Sequence, residues 1–314
     1  MKRDQYGRYL LPHPETGVEQ AWTRATTIAS TLSDRYALEQ WAQRNIIHGI
    51  GLRPDLYALA AASKSDDKEL LGKIAQQASE AAAASSSANL GTALHNLTER
   101  IDGGEILDVP SEWRADVDAY CQTLADNSVK IIPGHIEGVV VVPQIGAAGT
   151  FDRLVEVDGQ RMVADLKTGA NAITYGTAEI AIQLAIYARG THLWTGDGYE
   201  PMPDDLDQDQ ALIIHLPVGT GTCTLHLVDI SIGWFGVELA LQVRDWRNRT
   251  DFSEPLSKWE LKAVPTGTPE NYIYGDLQKM ATPTVPDKNM DNPDLDHAIY
   301  GDLQAAAQSG PDDW

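Results

Sequence analysis

The sequence predicts a mixed-sheet α/β fold preceded by a helical N-terminal region, and three features of its pattern say so. Between about residues 31 and 102, apolar residues recur at helical spacing. Further on the period falls to two, in the runs "HIEGVVVV", "TFDRLVEV", "QRMVADLK", "ALIIHLPV" and "CTLHLVDI". One helical stretch, about 178–190, separates the third run from the fourth. Three strands, a helix and two more strands make an α/β order rather than an all-β one.

Residues 1–30 read as short strands and turns, punctuated by Gly7, Pro12, Pro14 and Gly17. In "YALEQWAQRNI", Leu38, Trp41 and Ile46 fall near one helix face, and an Ala-rich run continues through "ASEAAAASSSANLGTALHNLTERI". There Leu94, Leu97 and Ile101 form the buried stripe, leaving His95 on its flank with Glu99 one turn on. Ser111 is placed to cap the next helix, along which Trp113, Val117, Tyr120 and Leu124 recur. A last helix, about 233–249, carries Trp234, Phe235, Leu239, Val243 and Trp246. The expected division is an N-terminal region over 1–90, a core over 91–250 and an acidic, flexible tail over 251–314. The tail repeats "IYGDLQ" at 273–278 and 299–304, which reads either as a pair of docking motifs for a protein partner or as chance recurrence.

At 314 residues, with 43% hydrophobic and 22% charged residues, the composition excludes a fibre and wholesale disorder. No apolar run is long enough to cross a bilayer, and no secretory segment follows the polar start, so a cytoplasmic location and no membrane partner are expected. Two cysteines, Cys121 and Cys223, are too few for a four-cysteine zinc or iron–sulfur site. The net charge of −21 opposes non-specific nucleic-acid binding. It is unevenly spread: residues 1–53 hold seven Lys/Arg against five Asp/Glu, whereas residues 251–314 hold four against twelve. A locally basic or metal-bridged groove is therefore still open to DNA.

The stretch "VADLKTG" ends a strand with Asp165 and Lys167 two residues apart, hence on one face. Alone, that is an ion pair at a strand end. The preceding strand changes the reading, because only Asp158 and Gly159 separate the two, and Asp-Gly is a favoured type I′ hairpin turn. Val157 then faces Gln160, and the same register sets Asp152 opposite Asp165. Facing Cβ atoms are roughly 4.5–5.5 Å apart, where two carboxylates repel unless one is protonated or a cation lies between them. Oxygen-rich sites of this kind suit Mg²⁺ or Mn²⁺. His95, Glu137 at the start of a strand, and Gln183 with Tyr187 four residues on along a helix are further candidates, each also readable as an ordinary polar residue.

Taken in order, these motifs resemble the RecB-type branch of the PD-(D/E)XK nucleases, including its phage-encoded members. That family shows G-x-x-x-H on a helix, a strand glutamate, G-x-x-D, (D/E)-x-K and Q-x-x-x-Y. Here they read Gly91 to His95, Glu137, Gly149 to Asp152, Asp165 to Lys167 and Gln183 to Tyr187. The resemblance covers about residues 90–190. It implies a restriction-endonuclease-like mixed central sheet flanked by helices, and metal-dependent hydrolysis of DNA in phage recombination, replication or repair, in the host cytoplasm. By that analogy His95, Asp152, Asp165 and the main-chain carbonyl of Leu166 hold one or two Mn²⁺ or Mg²⁺ ions. Lys167 orients or deprotonates water, Gln183 and Tyr187 hold the lysine or the strand, and Glu99 and Glu137 stand behind the ligands. Iron–sulfur relatives in CRISPR adaptation carry four cysteines, so no cluster is expected here. Arg24, Arg35, Trp41 and Arg44 are candidates for phosphate contact and base stacking.

Exonuclease action is the preferred reading, since no sequence-reading module is evident. The alternative is a catalytically idle DNA-binding or partner-recruiting protein on the same fold, acting through its tail. The sequence leaves polarity, strand preference and oligomeric state open.

Overall fold

Residues 9–24 form the first two strands, β1 (Tyr9–Pro12) and β2 (Glu19–Arg24), as a hairpin in the computed structural model, which describes residues 1–82 and 86–253. Both copies of "IYGDLQ" lie outside the described residues. A one-turn helix, α1 (Ala25–Ala29), follows where strands and turns were expected; it buries Ala25, Ile28 and Ala29. Helices α2 (Tyr36–Leu52), α3 (Pro54–Ala62) and α4 (Lys68–Ala81) form a small bundle around Leu56, Ile74 and Ala78, with Ile46 and Ile50 of α2 packed against them. The expected inner face of α2 is therefore corrected in part. Ile46 turns inward, but Leu38 and Trp41 are 52% and 42% exposed, because α4 meets the helix on the side of Ile46, Gly49 and Ile50.

Next come α5 (Ser86–Asp102) and α6 (Ser111–Asp126). Pro110, not Ser111, occupies the N-cap of α6, and no side chain caps it. Strands β3 (Lys130–Val142), β4 (Ala147–Val157) and β5 (Gln160–Lys167) are successive antiparallel neighbours. The hairpin turn has positive φ at both Asp158 (49°) and Gly159 (83°), as its type requires, and the rungs run from Val157↔Gln160 to Arg153↔Ala164 in the predicted register. Helix α7 (Ala172–Ala188) starts six residues before the expected position. It leads through two strands that the pattern did not show, β6 (His192–Trp194) and β7 (Tyr199–Pro201), which are too short for alternation to register. Strand β8 (Gln210–His215) then lies parallel to β5, β9 (Thr224–Asp229) lines its outer edge, and α8 (Ile230–Asn248) closes the described chain, its first turn capped by Asp229.

The result is a mixed nine-stranded sheet flanked by helices, ordered β7-β6-β3-β4-β5-β8-β9 with the first hairpin joined through β2 to β4, and compatible with the predicted core. Alternation along the central strands builds two apolar layers. Leu154 and Val163 face Leu184, Ile186 and Val237 of α7 and α8, whereas Val155, Ala164 and Leu166 face Leu94, Val117 and Tyr120 of α5 and α6. Among the described residues no helix is long and apolar enough to cross a membrane.

Candidate metal centre

The central strands part at one place. Strand β4 pairs with β5 only as far as Arg153↔Ala164; its first residues pair instead with β2, through Thr23↔Ala147 and Arg24↔Ala148. From Ala164 to Lys167, β5 is held by β8 on its other side. The predicted pair of Asp152 and Asp165 thus lies just beyond the last rung, at the mouth of a gap in the sheet. Backbone groups facing a gap must be satisfied by side chains. Here the N–H of Leu166 donates to Asp152 Oδ2 at 2.7 Å, and its carbonyl oxygen lies 3.0 Å from His95 Nε2.

Two glycines make that convergence sterically feasible. A Cβ on Gly91 would lie 2.6 Å from Thr168 Oγ1, so glycine lets α5 approach the end of β5 and bring His95 to Leu166. A Cβ on Gly149 would lie 2.4 Å from Tyr187 Cε1, so the buried Tyr187 ring rests on the strand only because that position is bare. Both glycine-led motifs of the sequence thereby have a packing reason.

His95 Nε2 is 3.3 Å from Asp152 Oδ2, and its Nδ1 is 3.2 Å from Glu99 Oε1, a carboxylate that fixes the ring from behind. Burial works against the imidazolium, but the hydrogen bond and charge of Asp152 outweigh it and raise the His95 pKa to about 9. Asp152 is pulled below the usual carboxylate range: burial opposes ionisation, and His95, Lys167 and the Leu166 N–H overcome it.

Glu137 is the residue the sequence placed too far back. It lies within β3 rather than at its start, after a register shift between Ile131 and Ile136, and its φ of +52° is a left-handed conformation rare for a non-glycine residue. The rungs Ile136↔Arg153 and Gly138↔Phe151 flank it in one register, which sets Glu137 across from Asp152, and one ligand atom from each of His95, Glu137 and Asp152 lies within 4.8 Å of the others. Glu137 is exposed as a whole residue, yet burial of its carboxyl and the charges of Asp152 and Glu99 push its pKa up to about 7. The register shift that precedes it depends on the pairing with β4, which is why spacing along β3 alone did not reveal this placement.

Asp165 faces the other side of the gap, toward α7, and is almost fully buried. Its Oδ2 lies 2.6 Å from Lys167 Nζ without the geometry of a hydrogen bond, and its Oδ1 is 3.5 Å from Gln183 Nε2. Gln183 Nε2 also donates to Tyr187 Oη at 3.0 Å. Burial and the charge of Asp152 raise the Asp165 pKa. Burial opposes the Lys167 ammonium, but Asp165 outweighs it, so the lysine stays a cation at neutral pH.

His95, Glu137 and Asp152 form a group able to hold a divalent cation, with the Leu166 carbonyl beside His95. The donor set, oxygen-rich with one imidazole, fits such an ion, and the repulsion between the Glu137 and Asp152 carboxylates held together there is what a divalent cation would relieve. The remaining candidates lie elsewhere. Trp41 and Arg44 are exposed on α2, Arg24 ends β2 beside Gly7, and Arg35 lines a separate pocket near α1.

One polar network escaped the sequence altogether. Arg153 is wholly buried; its Nε donates to Asp102 and its Nη2 to Thr98 Oγ1, while Tyr120 Oη donates to Asp102. An arginine inside an apolar alternating strand signals a buried partner, and that signal was present between Phe151 and Val155. Comparison with known protein families gives no match for this chain, and comparison with curated proteins gives none either.

Proposed function

We propose that the chain is a divalent-metal-dependent deoxyribonuclease of the RecB-type PD-(D/E)XK kind, acting as an exonuclease. The supporting observation is the gap between β4 and β5, into which His95, Glu137, Asp152 and the Leu166 carbonyl converge while Asp165 and Lys167 face it from α7's side. No residue of the five-part motif set is missing, which favours catalysis over an idle descendant of the fold.

Hydrolysis adds water across one P–O bond: the water oxygen bonds phosphorus, the ester oxygen leaves, and one proton passes from water to the leaving oxygen. His95, Asp152 and Glu137, with the Leu166 carbonyl, would hold Mn²⁺ or Mg²⁺, one ion or two with Asp165, and the imidazole favours Mn²⁺. Bound there, the ion supplies charge neutralisation and a more acidic water. Lys167, held cationic by Asp165, places positive charge where the phosphoryl oxygens gain negative charge; it acts by electrostatics rather than as a base. Gln183 donates to Asp165, the lysine's partner, and Glu99 fixes the imidazole.

The test is degradation of end-labelled linear duplex, linear single strand and covalently closed circular DNA with Mn²⁺, Mg²⁺ or EDTA, with Lys167→Ala alongside. Metal-dependent loss of linear DNA alone, abolished by the substitution, is the expected result. Intact DNA in every tube with well-folded protein would overturn the enzyme reading.

A further inference from the structure

An open pocket of about 570 Å³ lies where α1, α2 and α8 meet. Its lining carries the guanidinium groups of Arg35, Arg244 and Arg247, beside Ser30, Thr31 and Ser33, whose hydroxyls donate to the Thr27 carbonyl and to Glu179. The guanidinium groups of Arg35 and Arg244 have no hydrogen-bond or ion-pair partner among the described residues, and that of Arg247 makes only a 3.4 Å contact to the Thr31 carbonyl. Two carboxylates, Asp34 and Glu39, also line the pocket. Asp34 is occupied in part by the Tyr36 N–H, and neither forms an ion pair with the three arginines. Three cations against two anions leave an excess of positive charge in a chain whose net charge is −21. Unpaired guanidinium groups around one cavity repel each other, and an oxyanion removes that repulsion.

The pocket is tied to the metal centre by a short chain of contacts. Ser33 Oγ donates to Glu179 Oε2 at 2.6 Å. Glu179 lies one helical turn before Gln183 on α7, and its charge acts on Lys167. The pocket wall thus touches, through Ser33, the same helix whose Gln183 reaches Asp165.

We propose that Arg35, Arg244 and Arg247 form a subsite for backbone phosphates of the polynucleotide, beside the cleavage centre and separate from it; this rests on the nuclease reading above. Guanidinium forks match phosphodiester oxygens, and such contacts position a strand without reading its sequence. That fits the described residues, among which no base-reading element is evident. Arg244 and Arg247, three apart on α8, offer neighbouring donors to one strand.

The test uses the full chain in a Lys167→Ala background with Mn²⁺, so that DNA is bound but not consumed. Anisotropy of a labelled single strand is followed over a salt series from about 50 to 200 mM, for Arg244→Gln/Arg247→Gln, for the triple variant adding Arg35→Gln, and for the corresponding lysine triple. Each phosphate contact contributes a slope of about 0.7 in log affinity against log salt. The triple glutamine variant should lose about 2 from that slope, the double about 1.4, and the lysine triple should keep it. An unchanged slope in folded glutamine variants, with wild-type protein still cleaving DNA, would overturn the subsite alone. Failure of the parent protein to bind any DNA would overturn the subsite and the nuclease reading together.

Discussion

His95 and Leu166 stand 71 positions apart in sequence, and the imidazole Nε2 of one lies 3.0 Å from the main-chain oxygen of the other. The contact joins α5 to β5 at the point where β4 has turned away. It also places a proton, on Nε2, between the Leu166 carbonyl and the Asp152 carboxylate, where a metal ion would sit.

That proton predicts how metal affinity depends on pH. A cation must displace it, and the raised His95 pKa of about 9 means it is present throughout the neutral range. Mn²⁺ affinity should therefore rise about tenfold per pH unit between pH 7 and 9, and more steeply below 7, where Glu137 also carries a proton. Calorimetry in buffers of different ionisation enthalpy would report the proton released. Affinity flat across this range would show that His95 is not a ligand. Without metal the sign reverses. The raised pKa of His95 stabilises the fold fully below its unfolded value of 6.5, and that contribution disappears as pH rises through about 9.

Glu137→Gln should move stability and binding in opposite directions. The folded-state pKa of Glu137 lies above its reference of 4.5, so ionising it opposes folding, and the penalty grows as pH rises from 4.5 through about 7. The amide removes the repulsion from Asp152 and Glu99. In EDTA at pH 8 the variant should melt above the wild type, while its Mn²⁺ affinity falls by at least about tenfold. A variant that melts lower and binds Mn²⁺ as before would remove Glu137 from the cluster.

These residues also show what the sequence made legible. Asp158 and Gly159 fixed the hairpin register because a two-residue type I′ turn admits only one, so Asp152 and Asp165 could be brought together on paper. The side chains at i and i+4 of α5 and α7 likewise met as expected, His95 with Glu99 and Gln183 with Tyr187. What escaped depended on irregularity or on tertiary partners. The register shift before Ile136 that brings Glu137 opposite Asp152 breaks the pairing that spacing alone would suggest, and the exposed face of α2 was set by where α4 docks. The end of the Asp152–Asp165 pairing was set by β2 entering beside β4, a contact between segments more than a hundred residues apart.

Gly149→Ala should be costly, and more so than Gly91→Ala. The added methyl at 149 would meet the ring of Tyr187, which is buried and bonded through its hydroxyl to Gln183, so neither strand nor ring can yield freely. Overpacking of this kind costs about 1–3 kcal/mol. At 91 the obstacle is the Thr168 hydroxyl, the tip of a side chain that can change rotamer. Urea unfolding of both variants checks the ranking, and equal losses would mean that the Tyr187 ring moves aside.

The buried pair of Arg153 and Asp102 predicts strong coupling between two residues outside the metal group. Arg153 Nε donates to Asp102 Oδ2, the guanidinium carbon lies 5.6 Å from the centre of the Tyr120 ring, and neither charge reaches water. Asp102→Ala would strand the guanidinium with Thr98 as its sole remaining hydrogen-bond partner, and Arg153→Met would strand the carboxylate with Tyr120. Each single change should cost about 3–5 kcal/mol, and the double variant much less than the two together, because the second change removes the charge that the first left unpaired. Asp102 and Thr98 lie on the same helix as His95, so loosening this pair should also let α5 shift from β4 and weaken Mn²⁺ binding, though none of these side chains belongs to the metal group. A double-mutant cycle by urea unfolding, with Mn²⁺ titration of each folded variant, tests both effects. Additive losses would show that the two residues act independently, and unchanged Mn²⁺ affinity would show that α5 is held in place by its apolar stripe alone.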